Sequence, residues 1–175
     1  MLRGINVSGQ KMIRMQDLQA LYESLKLTNV RTYVQSGNVV FDSKEKDSLK
    51  LTKLIENKIE KTFSFSVTVF IRDAKNLKRI IDNNPFAKRN EDSKKLYVTF
   101  LYSNSVLMDK KNLDVPNNDS DEYYLGEEEI YIFCPNGYGR TKLNNNFFER
   151  KLKMPATTRN WNTVSALYEM AIDGK

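Results

Sequence analysis

The chain has 175 residues, 40% hydrophobic and 29% charged, which suits one globular domain or two small halves that share a core. It has no histidine and a single cysteine, which excludes an internal disulfide, histidine-dependent catalytic triads and almost all zinc catalysis. A formal net charge of +6, from 28 lysines and arginines against 22 acidic residues, favours contact with phosphates but does not by itself indicate nucleic-acid binding.

The first 72 residues alternate between helical and extended patterns. Apolar residues at intervals of three and four predict helices, and runs rich in β-branched residues predict strands. Gly37 is expected to supply the positive φ of a hairpin turn. In chain order we predict a strand, a helix, two strands, a helix and a strand, over residues 1–6, 15–26, 30–35, 38–43, 49–63 and 67–72.

Residues 73–94 are predicted to form a bridging helix and a linker, with Asp73 as the N-cap and Pro85 as the stop. The earlier order then recurs within residues 95–175, followed by a closing helix. The predicted elements are a strand, a short helix, two strands, a helix, a strand and a helix, over residues 95–101, 105–113, 122–126, 129–134, 142–153, 156–159 and 163–171.

These patterns predict an α+β fold. Each half, residues 1–72 and 95–175, follows the β-α-β-β-α-β order of a ferredoxin-like fold. We therefore expect duplicated ferredoxin-like halves with antiparallel or mixed sheets, helices packed on one face, and one compact unit overall. The acidic spacing in residues 115–122 lacks the glycine and final glutamate of a calcium loop, so no metal site is expected there.

The stretch "GYGRTKLNNN" places two cations, Arg140 and Lys142, after closely spaced glycines and at the start of the helix predicted over residues 142–153, which also contains Asn144. Cations beside a helix N-terminus can hold an anion. The spacing does not fit a nucleotide-binding P-loop or a dinucleotide fingerprint. The alternative is a glycine turn in which Thr141 caps the following helix.

A second polar stretch, "RNWNT", contains Arg159, Asn160 and the only tryptophan, Trp161. Trp161 could stack on a base or sugar while Arg159 contacts a phosphate. Alternatively, Asn162 or Thr163 caps the closing helix and Trp161 packs on its first turn.

Near the front of the chain, polar residues gather at two predicted strand ends. They can line a pocket, or they can satisfy backbone groups at buried turns. They are Arg3, Asn6, Gln35, Ser36 and Asn38. The single cysteine, Cys134, lies in the apolar run "IYIFC" and is expected to be a core residue and not a reactive thiol.

Several segments together resemble one family. The segments "LRGINVSG", "VRTYVQSGNVVF", "NPF" and "GYGRTKLNNNFFERKL…ATTRNWNTV" are similar, in content and order, to the bacterial domain of unknown function 1697 (DUF1697). The resemblance implies a duplicated ferredoxin-like α+β fold and no established activity. The chain departs from the family pattern at Ser8, where members commonly have glycine, and members usually begin several residues upstream, which would lengthen the first strand.

Three functions remain open from the sequence. The first is a binding module for an anionic small molecule or nucleic acid. The second is an enzyme on a small phosphorylated metabolite that works without histidine, metal or cofactor, although no catalytic residue is identified. The third is a structural or interaction protein. With no membrane span, no signal peptide and one cysteine, we expect a cytoplasmic protein.

Overall fold

The protein is described from a computed structural model that covers residues 1–7, 9–102, 113 and 120–173. The chain divides into two compact units. The first comprises Met1–Leu77 and Leu167–Lys175, and the second comprises Lys78–Ala166. Both contain helices and antiparallel strands, so the predicted α+β class is confirmed. Every helix in the described part of the chain is too short or too polar to span a bilayer.

The first unit is built around two helices and a hairpin. β1 and β2 pair antiparallel, with Tyr33 opposite Asn38 and a register shift between Thr28 and Arg31. The elements are α1 (Met15–Ser24), β1 (Thr28–Tyr33), β2 (Asn38–Asp42), α2 (Ser48–Phe63) and the start of α3 (Ala74–Asp82).

The strands predicted over residues 1–6 and 67–72 are reduced to a single bridge between Leu2 and Val69. Its two hydrogen bonds run from the Arg3 N–H to the Thr68 carbonyl at 2.9 Å and from the Phe70 N–H to the Met1 carbonyl at 2.8 Å. Pairing then stops because Gly4, at a φ of +67°, turns the chain away from the extended conformation.

The core of the first unit lies between the helices and these extended segments. α1 buries Leu18, Leu21 and Tyr22, and α2 buries Ile55 and Ile59 on one face. This spacing of three and four residues is the amphipathic pattern on which the helix predictions relied. Further members of this core are Leu2, Ile5, Ile13, Leu27, Val30, Val39, Leu51, Val67 and Val69.

Around Pro85 the chain differs from the prediction. α3 ends at Asp82, and Pro85 begins a short helix, α4 (Pro85–Lys88), in place of stopping one. Proline fits the first helical turn because its missing N–H is not needed there. The Asn84 side chain caps α4 by accepting from the N–H of Phe86 at 3.0 Å.

The second unit contains a four-stranded antiparallel sheet in the order β4-β5-β3-β6. The helix predicted over residues 105–113 and most of the loop 115–122 lie outside the described residues. The elements that follow α4 are β3 (Leu96–Leu101), β4 (Glu122–Leu125), β5 (Glu129–Phe133), α5 (Asn145–Leu152), β6 (Ala156–Asn160) and α6 (Trp161–Ile172), which continues into the first unit.

One face of this sheet packs against α5, and we call it the α5 face. Alternate residues of a strand point to opposite faces, so Leu101 and Thr99 share the α5 face while Phe100 lies on the other. The buried residues on and around the α5 face are Leu101, Ile130, Ile132, Cys134, Leu143, Phe147, Phe148 and Ala156.

The opposite face contains a buried ion pair. Glu129 is 0% exposed and accepts two hydrogen bonds from Arg79, at 2.9 Å and 2.8 Å. Its remaining capacity is taken by the Tyr131 hydroxyl at 3.0 Å and the Glu128 N–H at 3.2 Å. A Cβ on Gly126 would lie 2.2 Å from a Glu129 carboxylate oxygen, so the hairpin turn requires glycine there. A bidentate, fully hydrogen-bonded carboxylate is the form in which a buried charge is tolerated.

We expect Gly37→Ala to lower the free energy of unfolding by about 2–4 kcal/mol, because φ is left-handed and the space is filled. Gly37 has a φ of +73°, and a Cβ there would lie 2.7 Å from Ile5 Cδ1 and 2.9 Å from Leu2 Cβ. Gly4→Ala is the matched control, since its φ is +67° but no atom lies within 4 Å. It should cost only about 1 kcal/mol in the same urea titration. Equal losses for both variants would contradict the packing argument.

We expect Glu129→Gln to cost about 2–3 kcal/mol, because it leaves Arg79 without its buried counter-charge. This loss of unfolding free energy is at or below the usual loss when a buried ion pair is broken. The reason is that the Arg79 side chain is 24% exposed and can turn towards Glu127, which lies 3.5 Å away in the structure. The control is Asp82→Asn, the same carboxylate-to-amide change in the exposed pair with Lys78. Its expected cost is below about 0.5 kcal/mol. Thermal melting of both variants is the measurement, and a stable Glu129→Gln protein would rule out this role for the pair.

Candidate functional site

Asn6 fastens two loops of the first unit. Its side-chain N–H groups donate to the carbonyls of Ile13 and Gln35, both at 2.9 Å, and its carbonyl oxygen accepts from the Ile13 N–H at 2.8 Å. Asn6 has a φ of +55°, which asparagine tolerates better than most residues. The amide therefore satisfies backbone groups where the chain turns, which is the structural alternative that the sequence left open.

Asn38 has a similar role in the first hairpin. It is 0% exposed and donates to the Ser36 hydroxyl at 2.9 Å and to the Tyr33 carbonyl at 3.2 Å. Gln35 and Ser36 are exposed, and Arg3 is half-buried. The five predicted residues of the first unit thus border the same pair of loops, and Asn6 and Asn38 hold those loops in shape.

In the second unit, Thr158 is the centre of a polar cluster on the α5 face. Its hydroxyl donates to the Asn145 side-chain oxygen at 2.6 Å and accepts from the Tyr138 hydroxyl at 3.0 Å. The Thr99 hydroxyl lies 2.7 Å away and must be the donor, because Thr158 has only one proton to give. We call Thr99, Tyr138, Asn145 and Thr158 the Thr158 cluster.

The Thr158 cluster was not predicted from the sequence. Thr99 and Thr158 lie in β-strand patterns, where threonine is common for its β-propensity alone. Only Asn145, within the run of three asparagines, carried a visible signal.

Tyr138 is held as a neutral phenol. Burial raises its pKa, while hydrogen bonds with the Thr158 hydroxyl and the Asn145 backbone act in the opposite direction. Its ring packs against Tyr97 with 4.8 Å between the ring centroids. Near neutral pH Tyr138 is therefore a hydrogen-bonding group that orders the turn before α5 and not a base.

Two predicted site residues cap helices. Asn144 accepts from the Phe147 N–H at 3.1 Å at the start of α5, and Asn160 accepts from the Thr163 N–H at 2.8 Å at the start of α6. The predicted caps, Thr141 for one helix and Asn162 or Thr163 for the other, are displaced because α5 begins later and α6 earlier than expected. Both asparagines thus satisfy helix N–H groups that have no intrahelical partner.

Arg159 lies on the other side of the sheet from the Thr158 cluster. It follows Thr158 directly in β6, and neighbouring side chains of a strand point to opposite faces. Its guanidinium donates to the Thr157 hydroxyl at 2.8 Å and to the Thr158 carbonyl at 2.9 Å. Burial lowers the pKa of Arg159 to about 10, which still leaves it charged at neutral pH. Trp161, the first residue of α6, is half-buried.

Arg140 and Lys142 lie on either side of Thr141, shortly before α5. Arg140 and Lys142 are exposed, whereas Thr141 and Leu143 between and after them are 8% and 1% exposed. Arg140 ends a short 3₁₀ turn (Tyr138–Arg140), and Thr141, between the two cations, has extended backbone angles, so the Cα atoms of Arg140 and Lys142 are about 6–7 Å apart. The Thr141 hydroxyl also accepts from the Leu143 N–H at 2.9 Å, which fixes the segment locally.

The two cations of this segment have no acidic neighbour in the sequence. The stretch from Ile130 to Phe148 contains both cations and no acidic residue. Among the described residues, neither Arg140 nor Lys142 forms an ion pair. We call Arg140, Thr141, Lys142 and Leu143 the Arg140–Lys142 segment. It has the residue types, exposure and spacing required to contact a phosphate.

Groups suited to catalysis are scarce in the described part of the chain. No group of three or more cysteine and acidic residues there could hold a metal ion. Burial raises the pKa of the Cys134 thiol to about 11, so it is not a ready nucleophile. The arrangement is suited to recognition by hydrogen bonds and charge.

The predicted site residues divide between the two units. Arg3, Asn6, Gln35, Ser36 and Asn38 belong to the first. The remaining predicted residues belong to the second, namely Arg140, Lys142, Asn144, Arg159, Asn160 and Trp161.

Comparisons with known proteins give one family and one fold. A family model described as protein of unknown function (DUF1697) matches residues 1–131. A conserved bacterial protein from Streptococcus pneumoniae has a similar structure, with a TM-score of 0.73 and 22% sequence identity over 98% of this chain and 96% of that chain. None of the curated proteins matches the chain. The family match ends before the Arg140–Lys142 segment.

We expect Cys134 to resist alkylation while the protein is folded. Burial raises its pKa from 9.0 to about 11, so the folded state retains the proton that the unfolded state loses first. The stability that this provides is full below about pH 9 and is lost as the pH rises towards 11. Iodoacetamide labelling near pH 8.5, followed by intact mass, should be slow in buffer and fast in urea. Equal rates in both would show an accessible thiolate.

Proposed function

The chain belongs to the DUF1697 family of proteins of unknown function, and we propose that it is a binding module for an anionic ligand, either a nucleotide or the phosphate backbone of nucleic acid. One observation carries the proposal. Arg140 and Lys142 are both exposed on either side of buried Thr141, in a stretch that contains no acidic residue.

The spacing of these cations favours phosphate over a single carboxylate. Side chains two residues apart on an extended segment can contact neighbouring phosphates or two oxygens of one phosphate. Because the segment is anchored by buried Thr141 and Leu143, less conformational entropy is lost on binding than in a free loop. The overall charge of +6 adds long-range attraction at low ionic strength.

A structural or interaction protein is the second candidate. It is favoured by the amides of Asn6, Asn38, Asn144 and Asn160, which are all used on the protein's own chain. For an enzyme on a phosphorylated metabolite, the described residues offer the same two cations but no activated nucleophile or base.

The duplicated ferredoxin-like arrangement is part of the proposal. It is supported in the second unit by the antiparallel order β4-β5-β3-β6, in which the strand that comes first in the chain lies between the third and the fourth. In the first unit the Leu2–Val69 bridge pairs the two outer segments of the β-α-β-β-α-β order. The arrangement requires a helix between β3 and β4, and an experimental structure of residues 103–119 would test it.

The binding proposal predicts that replacing Arg140 and Lys142 together by alanine weakens binding of a short single-stranded oligonucleotide by about tenfold or more at low salt. The salt dependence should also fall, by about 0.7 in logarithmic slope for each lost phosphate contact. Fluorescence anisotropy with labelled oligonucleotide, and competition by ATP, would measure both effects.

The matched control replaces Lys53 and Lys61, two exposed lysines of α2, by alanine, and it removes the same charge from the first unit. Binding should persist in this control. Equal weakening in both double variants would show that the loss of affinity comes from net charge alone. Undetectable binding by the wild-type protein at low salt would overturn the proposal. A large fall in melting temperature on replacing Arg140 and Lys142 would favour the structural candidate.

A further inference from the structure

Three strongly exposed apolar side chains of the first unit lie around Asn6. Val7 is 59% exposed, Met12 64% and Val34 52%. The Asn6 side chain bonds to the residue next to Met12 and to the residue next to Val34, and Val7 follows Asn6 directly. These two hydrogen bonds and the peptide link to Val7 bring the three segments that carry the exposed side chains together around Asn6. We call Val7, Met12 and Val34 the aliphatic patch.

The backbone of Val34 is strained. Its φ is +49°, a left-handed conformation that β-branched residues rarely adopt. Such strain persists only where surrounding contacts impose it, and here the next residue is held by Asn6. Replacing Val34 by asparagine or glycine would relieve the strain and remove the exposed apolar side chain. Folding alone therefore gives no reason for valine at this position.

The rim of the aliphatic patch is positively charged. Residues 1–16 and 24–41, which include the three patch residues, contain no aspartate or glutamate, and the first acidic residue after the first stretch is exposed Asp17 in the first turn of α1. Lys11 is anchored by a 2.7 Å hydrogen bond to the Ser66 carbonyl, and Arg14 is exposed at the start of α1. The cations of the two stretches are Arg3, Lys11, Arg14, Lys26 and Arg31.

We propose that the aliphatic patch is a docking surface for an acidic protein segment that carries apolar side chains. Aliphatic side chains suit the apolar residues of a protein, whereas single-stranded nucleic acid is bound mainly by stacking on aromatic rings. Methionine is also common at surfaces that accept varied apolar partners. Lys11 and Arg14, which flank Met12 in the sequence, complement carboxylates and disfavour a basic partner. This proposal involves the first unit and is independent of the phosphate site in the second.

The test uses three labelled synthetic peptides and the full chain. The first peptide alternates leucine with glutamate, the second replaces each glutamate by lysine, and the third replaces each leucine by serine. Fluorescence anisotropy should show that the first peptide binds about tenfold or more tightly than either of the others. Amide chemical-shift changes in the ¹⁵N-labelled protein should centre on residues 6–14 and 33–36.

The variants locate the binding surface. Val7→Ser, Met12→Gln and Val34→Asn together should weaken binding of the first peptide by about tenfold. Arg14→Ala should reduce both affinity and salt dependence. The control combines Leu49→Gln with Leu54→Gln, two α2 leucines that are 52% and 45% exposed, and it should bind like the wild type. Met12→Gln alone, at the most exposed position, is the fallback if the triple variant does not fold.

Several outcomes would overturn the proposal. One is that the leucine-glutamate peptide shows no detectable binding, or binds no more tightly than the other two peptides. Another is that the chemical-shift changes are confined to residues outside 6–14 and 33–36. An oligonucleotide that displaces the peptide and shows the same sensitivity to the triple variant would make the patch a nucleic-acid surface. If sedimentation shows a dimer for the wild type and a monomer for the triple variant, the occupant of the patch is a second copy of the chain.

Discussion

Every turn that positions the candidate sites must supply hydrogen-bond partners for backbone groups that lose them when the chain leaves a helix or strand. Such groups are costly to bury without partners, so a polar side chain must be close at hand. Asn6 and Asn38 meet this requirement in the first unit, and Asn144 and Asn160 do so at two helix starts in the second. Because short amides act locally, the turns around them become rigid, and the exposed side chains between them are held in fixed positions.

The two candidate surfaces consist mainly of residues other than those that bond to the protein's own backbone. The residues that look most suited to ligand contact by type, the asparagines and Tyr138, are largely occupied with their own chain. The exposed side chains of the two candidate surfaces lie next to buried residues, as Lys142 does beside Leu143 and Met12 beside Ile13.

How much could be read from the sequence depends on the range of the interaction. The helix predicted over residues 15–26 is found as Met15–Ser24, because apolar spacing reports directly on burial. The first strand is much shorter than predicted, because Gly4 adopts a left-handed φ that residue type alone permits but does not reveal. The Thr158 cluster joins residues as far as 59 positions apart, and no local pattern reports such a contact. The opposite directions of Thr158 and Arg159 do follow from strand alternation.

The bidentate contact between Arg79 and Glu129 spans 50 residues of chain. During synthesis on the ribosome, the arginine therefore emerges well before its carboxylate partner exists. The central strand β3 likewise precedes both of its neighbours, β5 and β6. The second unit cannot close its sheet until almost all of it has been translated, so this half of the nascent protein must remain open, with apolar strands such as Leu96–Leu101 unpaired, for longer than a hairpin-first topology would require.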